Sequence, residues 1–139
     1  MGLRILLPWE LRDNGHLEIK KEFDKFSHRL DYFMALSGAV VVMPGGVGTC
    51  LEFLYAWQLT QVRHVRPIPI ILMGNMWKKF YGWAKRYPMR AGYISPHDMD
   101  NLYVVKSNAE ALHIIFKHHV LFQKEGKNYY KHIPPYRVD

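Results

Sequence analysis

A chain of 139 residues is about one domain long, and a composition that is 49% hydrophobic and 14% aromatic supplies a core and excludes global disorder. Nineteen Lys and Arg against twelve Asp and Glu give a formal charge of +7, which favours anionic partners: nucleic acid, acidic surfaces or small phosphorylated ligands. A single cysteine, Cys50, excludes an internal disulfide and a multi-cysteine metal site. Apolar runs such as Ala39–Met43 are far too short to cross a bilayer, and the N-terminus lacks a signal-peptide cleavage site, so a cytoplasmic protein is expected.

Residues Gly2 to Leu7, closed by Pro8, read as a buried strand, followed by a polar stretch with the turn signal Asn14-Gly15. Between Glu18 and Leu36 the apolar positions Ile19, Phe23, Phe26, Leu30 and Phe33 step by four, three, four and three, which predicts an amphipathic helix ended by Ser37-Gly38. Ala39–Met43 is continuous and β-branched, as expected of a parallel strand covered on both faces. The glycine-rich segment Pro44–Thr49 leads into a second helix, from about Cys50 to Gln61. Pro67–Met73 reads as another buried strand with its prolines at the entry. Gly74-Asn75 breaks it, and a third helix is expected over Met76–Arg86. Leu102–Val105 is a fourth short strand, and Asn108 is placed to cap a last helix from Ala109 to about Val120. The alternation predicts an α/β layer on a parallel sheet of four strands.

Val41-Val42-Met43-Pro44-Gly45-Gly46-Val47-Gly48-Thr49-Cys50-Leu51-Glu52 is the informative segment. A glycine-rich turn between a buried strand and a helix lets backbone approach an anion while the helix's first N–H groups point at it. It also lies at the carboxyl end of a strand, where open α/β sheets bind ligands. A phosphate at Gly45, Gly46, Gly48 and Thr49 fits that arrangement. No Lys follows the last glycine, so the segment is not a Walker A loop, and its glycine spacing differs from the dinucleotide fingerprint. Thr49 and Glu52, three apart, also have the spacing of a capping box. Glu52 is therefore open to two readings, a structural cap or a functional acid. Arg29, just off the apolar stripe of the first helix, reads by itself as a solvated residue.

Pro44-Gly45-Gly46-x-Gly48-Thr49-x-x-Glu52, preceded by Arg29 in Phe23-x-x-Phe26-x-x-Arg29, resembles the LOG family, named for the plant "lonely guy" enzymes and often labelled possible lysine decarboxylase. Leu7-Pro8-Trp9-Glu10 with Asn14, Pro69-Ile70-Ile71-Leu72 and Trp77 extend the resemblance, which runs from about Gly2 to His119. It implies a Rossmann-like parallel sheet flanked by helices, N-terminally truncated relative to the family, over residues 1–120, with a basic, aromatic tail over 121–139. It implies a usually dimeric enzyme that hydrolyses the N-glycosidic bond of nucleoside 5′-monophosphates, AMP-like or cytokinin nucleotides, releasing free base and ribose 5-phosphate. The family's phosphate loop maps onto Gly45, Gly46, Gly48 and Thr49, and its catalytic pair onto Arg29 and Glu52. Leu30 stands where a basic residue often follows the motif Arg, and His28 precedes it. The alternative reading is a nucleotide- or phosphate-binding module without catalysis.

Neither a metal nor an organic cofactor is expected. A lysine decarboxylase would need pyridoxal phosphate on a Schiff-base lysine, and no lysine stands in or beside the Pro44–Glu52 loop. His118-His119 point about 100° apart on a helix and lack a third ligand. His97-Asp98 and Cys50 are not promoted to the site, and Trp57, Trp77 and Trp83 read as packing residues. The tail, with Lys124, Lys127, Lys131 and Arg137 among Tyr129, Tyr130 and Tyr136, reads as a solvated extension rather than a nucleic-acid tracker. A four-stranded sheet leaves an edge or a helix face uncovered, so self-association through the Glu18–Leu36 and Cys50–Gln61 helices is expected.

Overall fold

The computed structural model describes residues 1–5, 16 and 18–125. Their contacts divide into two units, one ending at Ser37 and the other beginning at Gly38. Both are α/β, with parallel strands in two sheets, so the fold is Rossmann-like. Among the described residues no helix is long and apolar enough to cross a membrane.

In the first unit β1 (Gly2–Ile5) pairs in parallel with β2 (Lys20–Phe23), and α1 (Phe26–Leu36) packs on both. Ile5 and Phe23 are register partners and, with Leu30 and Met34 of α1, form the buried core. Strand β2 corrects the sequence reading, which ran a helix through it. Residues four apart share a face in a helix and in a strand alike, so the Ile19–Phe23 step carried no information about period. Ile19 is in fact 59% exposed while Phe23 is buried. The Lys21 ammonium sits 3.6 Å from the centroid of the Tyr32 ring, a cation–π contact tying β2 to α1. Leu6-Leu7-Pro8-Trp9-Glu10 and Asn14-Gly15 lie outside the described residues.

The second unit is a three-stranded sheet in the order β3 (Val40–Val42), β4 (Ile70–Met73), β5 (Leu102–Val105), all parallel. Helices α2 (Val47–Gln61) and α3 (Asn75–Ala84) make the two crossovers, and α4 (Asn108–Glu125) follows β5. On one face Ile71 and Val105 bury against Ala111, with Met73, Tyr103, Ile114 and Ile115 around them. Pleat alternation turns Ile70 and Leu72 to the other face, where α2 and α3 cross over the sheet, and both are fully buried. Val41 shares the α4 face but lies on β3, which α4 does not cover; it is 41% exposed, not enclosed on both sides as its apolar run suggests.

The cap of the last helix is Ser107, one residue before the expected Asn108. The Glu110 N–H donates to Ser107 Oγ at 3.3 Å, and the Glu110 carboxylate accepts from Ser107 Oγ and the Lys106 N–H. The bond from the Glu110 N–H is one half of a capping box; in place of the other half the carboxylate reaches one residue further back, to the Lys106 N–H. Helix α3 stops at Ala84, and Lys85–Met89 continue as a π-helical turn around Pro88, whose missing N–H interrupts the α-helical ladder. A single 3-10 turn, Pro96–Met99, is fastened to α2: Trp57 Nε1 donates to the Asp98 carbonyl at 2.7 Å, and Gln61 to its carboxylate at 3.1 Å. Burial pushes the Asp98 carboxyl up, but hydrogen bonds from Ser95 and Gln61 outweigh it, and the group titrates below its usual value. His97 pairs instead with Asp100, in the open.

His118 contacts Tyr103 through Nε2, 2.9 Å from the phenol oxygen. Burial, then the neighbouring Lys117, lowers its pKa below the ordinary 6.5. A histidine that resists protonation when folded favours the native state above the unfolded value, and loses that contribution as pH falls below it. Between about pH 7.5 and about pH 5 the wild-type melting temperature should therefore fall more than that of His118→Gln, as followed by circular dichroism across a pH series.

Candidate functional site

Strand β3 ends at Val42, and the chain turns through Met43-Pro44-Gly45-Gly46 into α2. Gly46 is the N-cap, with no capping side chain and no acidic residue in the first turn. The helix thus begins three residues earlier than the sequence suggests. Gly48 and Thr49 stand in its first turn, and Thr49 is the third helical residue rather than the cap. The capping-box reading of Thr49 and Glu52 is thereby overturned. The first N–H groups of a helix lack intrahelical partners, and with the macrodipole they present a positive end to the loop. Cys50, whose N–H already bonds the Gly46 carbonyl at 3.0 Å, is half-buried with a free thiol.

The three glycines differ. A Cβ on Gly45 would run into the side chain of Thr49, so that position is closed by the protein itself. Cβ atoms on Gly46 or Gly48 would meet nothing within 4 Å, leaving open space beside the helix end. Glu52 is half-buried, one turn after Thr49; residues three apart on a helix share a face. Side chains on a helix tend to lean toward its N-terminus, which for Glu52 is the direction of the loop.

Two braces hold the turn, from Trp77, which the sequence offers only within the resemblance, and from Gly74, which it offers only as a strand breaker. Trp77, buried at 1% exposure in α3, donates from Nε1 to the Met43 carbonyl at 3.1 Å. Gly74, at φ +98°, would bring a Cβ to 3.5 Å from the Pro44 ring, so the β4–α3 turn abuts the loop. Beneath it Phe53 of α2 meets Trp77 and Phe80 edge-on, with ring centroids 5.1 and 5.2 Å apart, and stacks on Trp57 at 5.8 Å. Trp57 and Trp77 are packing residues that also donate hydrogen bonds, whereas Trp83, at 50% exposure, is not buried as expected. The second unit thus brings Gly45, Gly46, Gly48, Thr49 and Glu52 to one strand–helix junction. Arg29 belongs to the first unit, half-buried on α1 beside buried Leu30. Among the described residues no group of three His, Cys, Asp or Glu could hold a metal ion.

Against this geometry the comparisons are specific. The family model described as "Possible lysine decarboxylase" matches residues 1–115. The chain belongs to this family, the LOG family. A cytokinin riboside 5′-monophosphate phosphoribohydrolase of Mycobacterium tuberculosis is 38% identical over 80 residues, covering 55% of this chain and 41% of that protein. The chain therefore spans about two-fifths of this relative's length.

The glycines give a stability test that needs no ligand. Gly45→Ala should lower the melting temperature, because Thr49 must move. Gly46→Ala should leave it within about 2 °C, and Gly48→Ala should match or raise it, since Ala exceeds Gly in helix propensity by up to about 1 kcal/mol. Thermal denaturation of the three variants checks the order.

Proposed function

We propose that this LOG-family chain is a nucleoside 5′-monophosphate phosphoribohydrolase, hydrolysing the N-glycosidic bond to release free base and ribose 5-phosphate. One observation carries the reading: a glycine turn caps α2 without a side chain, leaves space at Gly46 and Gly48, and sets Glu52 in the following turn. A relative named for this reaction on cytokinin nucleotides supports it. AMP-like and cytokinin nucleotides are accordingly the candidate substrates.

In this mechanism the backbone N–H groups of Gly45, Gly46, Gly48 and Thr49 take the 5′-phosphate, with the positive end of α2 behind them. Cleavage of the ribosyl bond develops positive charge on the sugar, which the Glu52 carboxylate stabilises while it orients a water and accepts its proton. Oxygen bonds to C1′ as the C1′–N bond breaks; the electron pair leaves on the base nitrogen, which takes up a proton from water, and the proton on Glu52 returns to solvent. Arg29, a planar fork of donors, fixes the phosphate or orients Glu52. The second reading, a phosphate- or nucleotide-binding module without hydrolysis, rests on the loop alone, which requires neither Arg29 nor Glu52.

Incubation with a nucleotide panel, followed by chromatography of bases and ribose 5-phosphate, separates the two. Glu52→Gln removes charge at nearly constant volume and should abolish base release while nucleotide binding persists. Full activity in that variant would remove Glu52 from the mechanism, and nucleotide binding without release by wild type would leave the binding module. Gly46→Val should weaken AMP and ribose 5-phosphate binding under either reading; unchanged affinity would count against the cradle.

Self-association belongs to the same proposal. Val47, Leu51 and Leu54 follow one stripe of α2 at 88, 43 and 44% exposure, and Phe26 and Leu36 of α1 are exposed as well. Apolar stripes of this kind mark contact surfaces. Light scattering at micromolar concentration should show a dimer or higher oligomer, reduced to monomer by Leu51→Glu with Leu54→Glu. A cooperatively melting wild-type monomer would refute it.

A further inference from the structure

The segment that follows α3 presents a surface of different chemistry from the glycine loop. From Asn75 to Ser95 the chain has five basic residues, Lys78, Lys79, Lys85, Arg86 and Arg90, and no Asp or Glu. That one segment holds most of the net charge of +7. The next carboxylates, Asp98 and Asp100, are engaged by Ser95 with Gln61 and by His97.

Within this segment Trp83, Arg86, Tyr87, Pro88, Arg90 and Tyr93 line an open groove of about 710 Å³. Its aromatic residues are exposed: Trp83 by 50%, Tyr87 by 58% and Tyr93 by 82%. The groove is built on fixed backbone. Its floor is the π-helical turn Lys85–Met89, and the Tyr93 N–H returns to the Pro88 carbonyl at 2.9 Å through Gly92 at φ +78°. Trp83 is held from below by Phe80, at 5.5 Å between ring centroids. π-Helical turns recur at functional sites, and exposed rings beside guanidinium groups match planar bases strung on phosphates.

We propose that this groove binds single-stranded nucleic acid, with bases stacked on Trp83, Tyr87 and Tyr93 and phosphates paired with Arg86 and Arg90. The proposal is independent of the phosphoribohydrolase reading: α3 is ten residues long, so about 15 Å of helix separates the groove from the end that abuts the loop.

The test is fluorescence anisotropy of the full chain with a labelled single-stranded RNA of about twelve nucleotides, over a salt series. The same strand as a duplex and vesicles containing phosphatidylserine serve as competitors. Binding should quench tryptophan fluorescence, and Tyr87→Ala with Tyr93→Ala should weaken it by about tenfold or more. Arg86→Gln with Arg90→Gln should flatten the dependence of log affinity on log salt by about 1.4, about 0.7 for each phosphate no longer neutralised. Both variants change exposed positions, and a wild-type melting temperature should confirm that they fold. The proposal is overturned by absence of binding at low salt, by equal affinity for the duplex with the tyrosine variant silent, or by capture of vesicles with the oligonucleotide ignored. Loss of binding in Lys127→Gln with Lys131→Gln while the groove variants bind normally would assign the interaction to the tail and overturn it too.

Discussion

The hydrogen bond from Trp77 Nε1 to the Met43 carbonyl is the constraint on which the glycine turn depends. Strand β3 has only three residues and lies at the edge of its sheet, so strand pairing alone gives its carboxyl end little support. The indole is almost completely buried, and leaving its N–H without an acceptor would cost about 1–3 kcal/mol. That bond fixes the residue just before Pro44. Phe53, packed against Trp77 and Phe80, fixes the helix just after the turn. The flanks are thus held by one aromatic cluster while the glycines between them remain exposed. Backbone donors held in this way need not reorganise when charge arrives, which is the condition for electrostatic stabilisation to be effective.

The alternation of strands and helices was legible because β3 and β4 are short apolar runs bounded by Gly or Pro, β5 is one set between polar residues, and each helix is long enough to show its period. Strand β2 was not legible, because Lys20-Lys21-Glu22-Phe23 buries a single side chain fully and its spacing to Ile19 suits either period. The glycine motif marked the site, but the start of α2 was misplaced for a specific reason. Thr and Gly rank about equally at an N-cap, so residue type did not choose between Gly46 and Thr49; the turn out of β3 passes close by Thr49 at Gly45, and the helix starts directly after it. The Trp77–Met43 contact joins residues 34 apart, a distance over which no local pattern carries a signal. Arg29 was legible only as part of a motif, since a lone Arg near an apolar stripe has many structural equivalents.

Helix α3 shows how one element can serve two kinds of chemistry. Its first turn braces the loop through Gly74 and Trp77, and its last turn leads into the cationic aromatic groove. The charge makes the separation physically sensible. At physiological ionic strength the Debye length is about 8 Å, shorter than the roughly 15 Å length of the helix, so the exposed guanidinium groups of Arg86 and Arg90 exert little field at the glycine turn. In the proposed function the phosphate is therefore left to the turn's own N–H groups and the end of α2.

A family described as possible lysine decarboxylase and a relative named a phosphoribohydrolase point to different reactions, and a phosphate-binding turn does not distinguish them. Pyridoxal phosphate and a nucleoside monophosphate both present a phosphate that a helix end would accept. The discriminating group is the one a sugar's or a pyridine's length further on. A decarboxylase of the pyridoxal type needs an amine there to form a Schiff base, and the Pro44–Glu52 segment itself contains no lysine. The ionisable residue in the second turn of α2 is instead a carboxylate, Glu52. A carboxylate cannot form the Schiff base, but it can oppose positive charge developing on a ribosyl ring and accept a proton from water. On the proposed reading the reaction is set by one side chain beside the phosphate, not by the phosphate site itself.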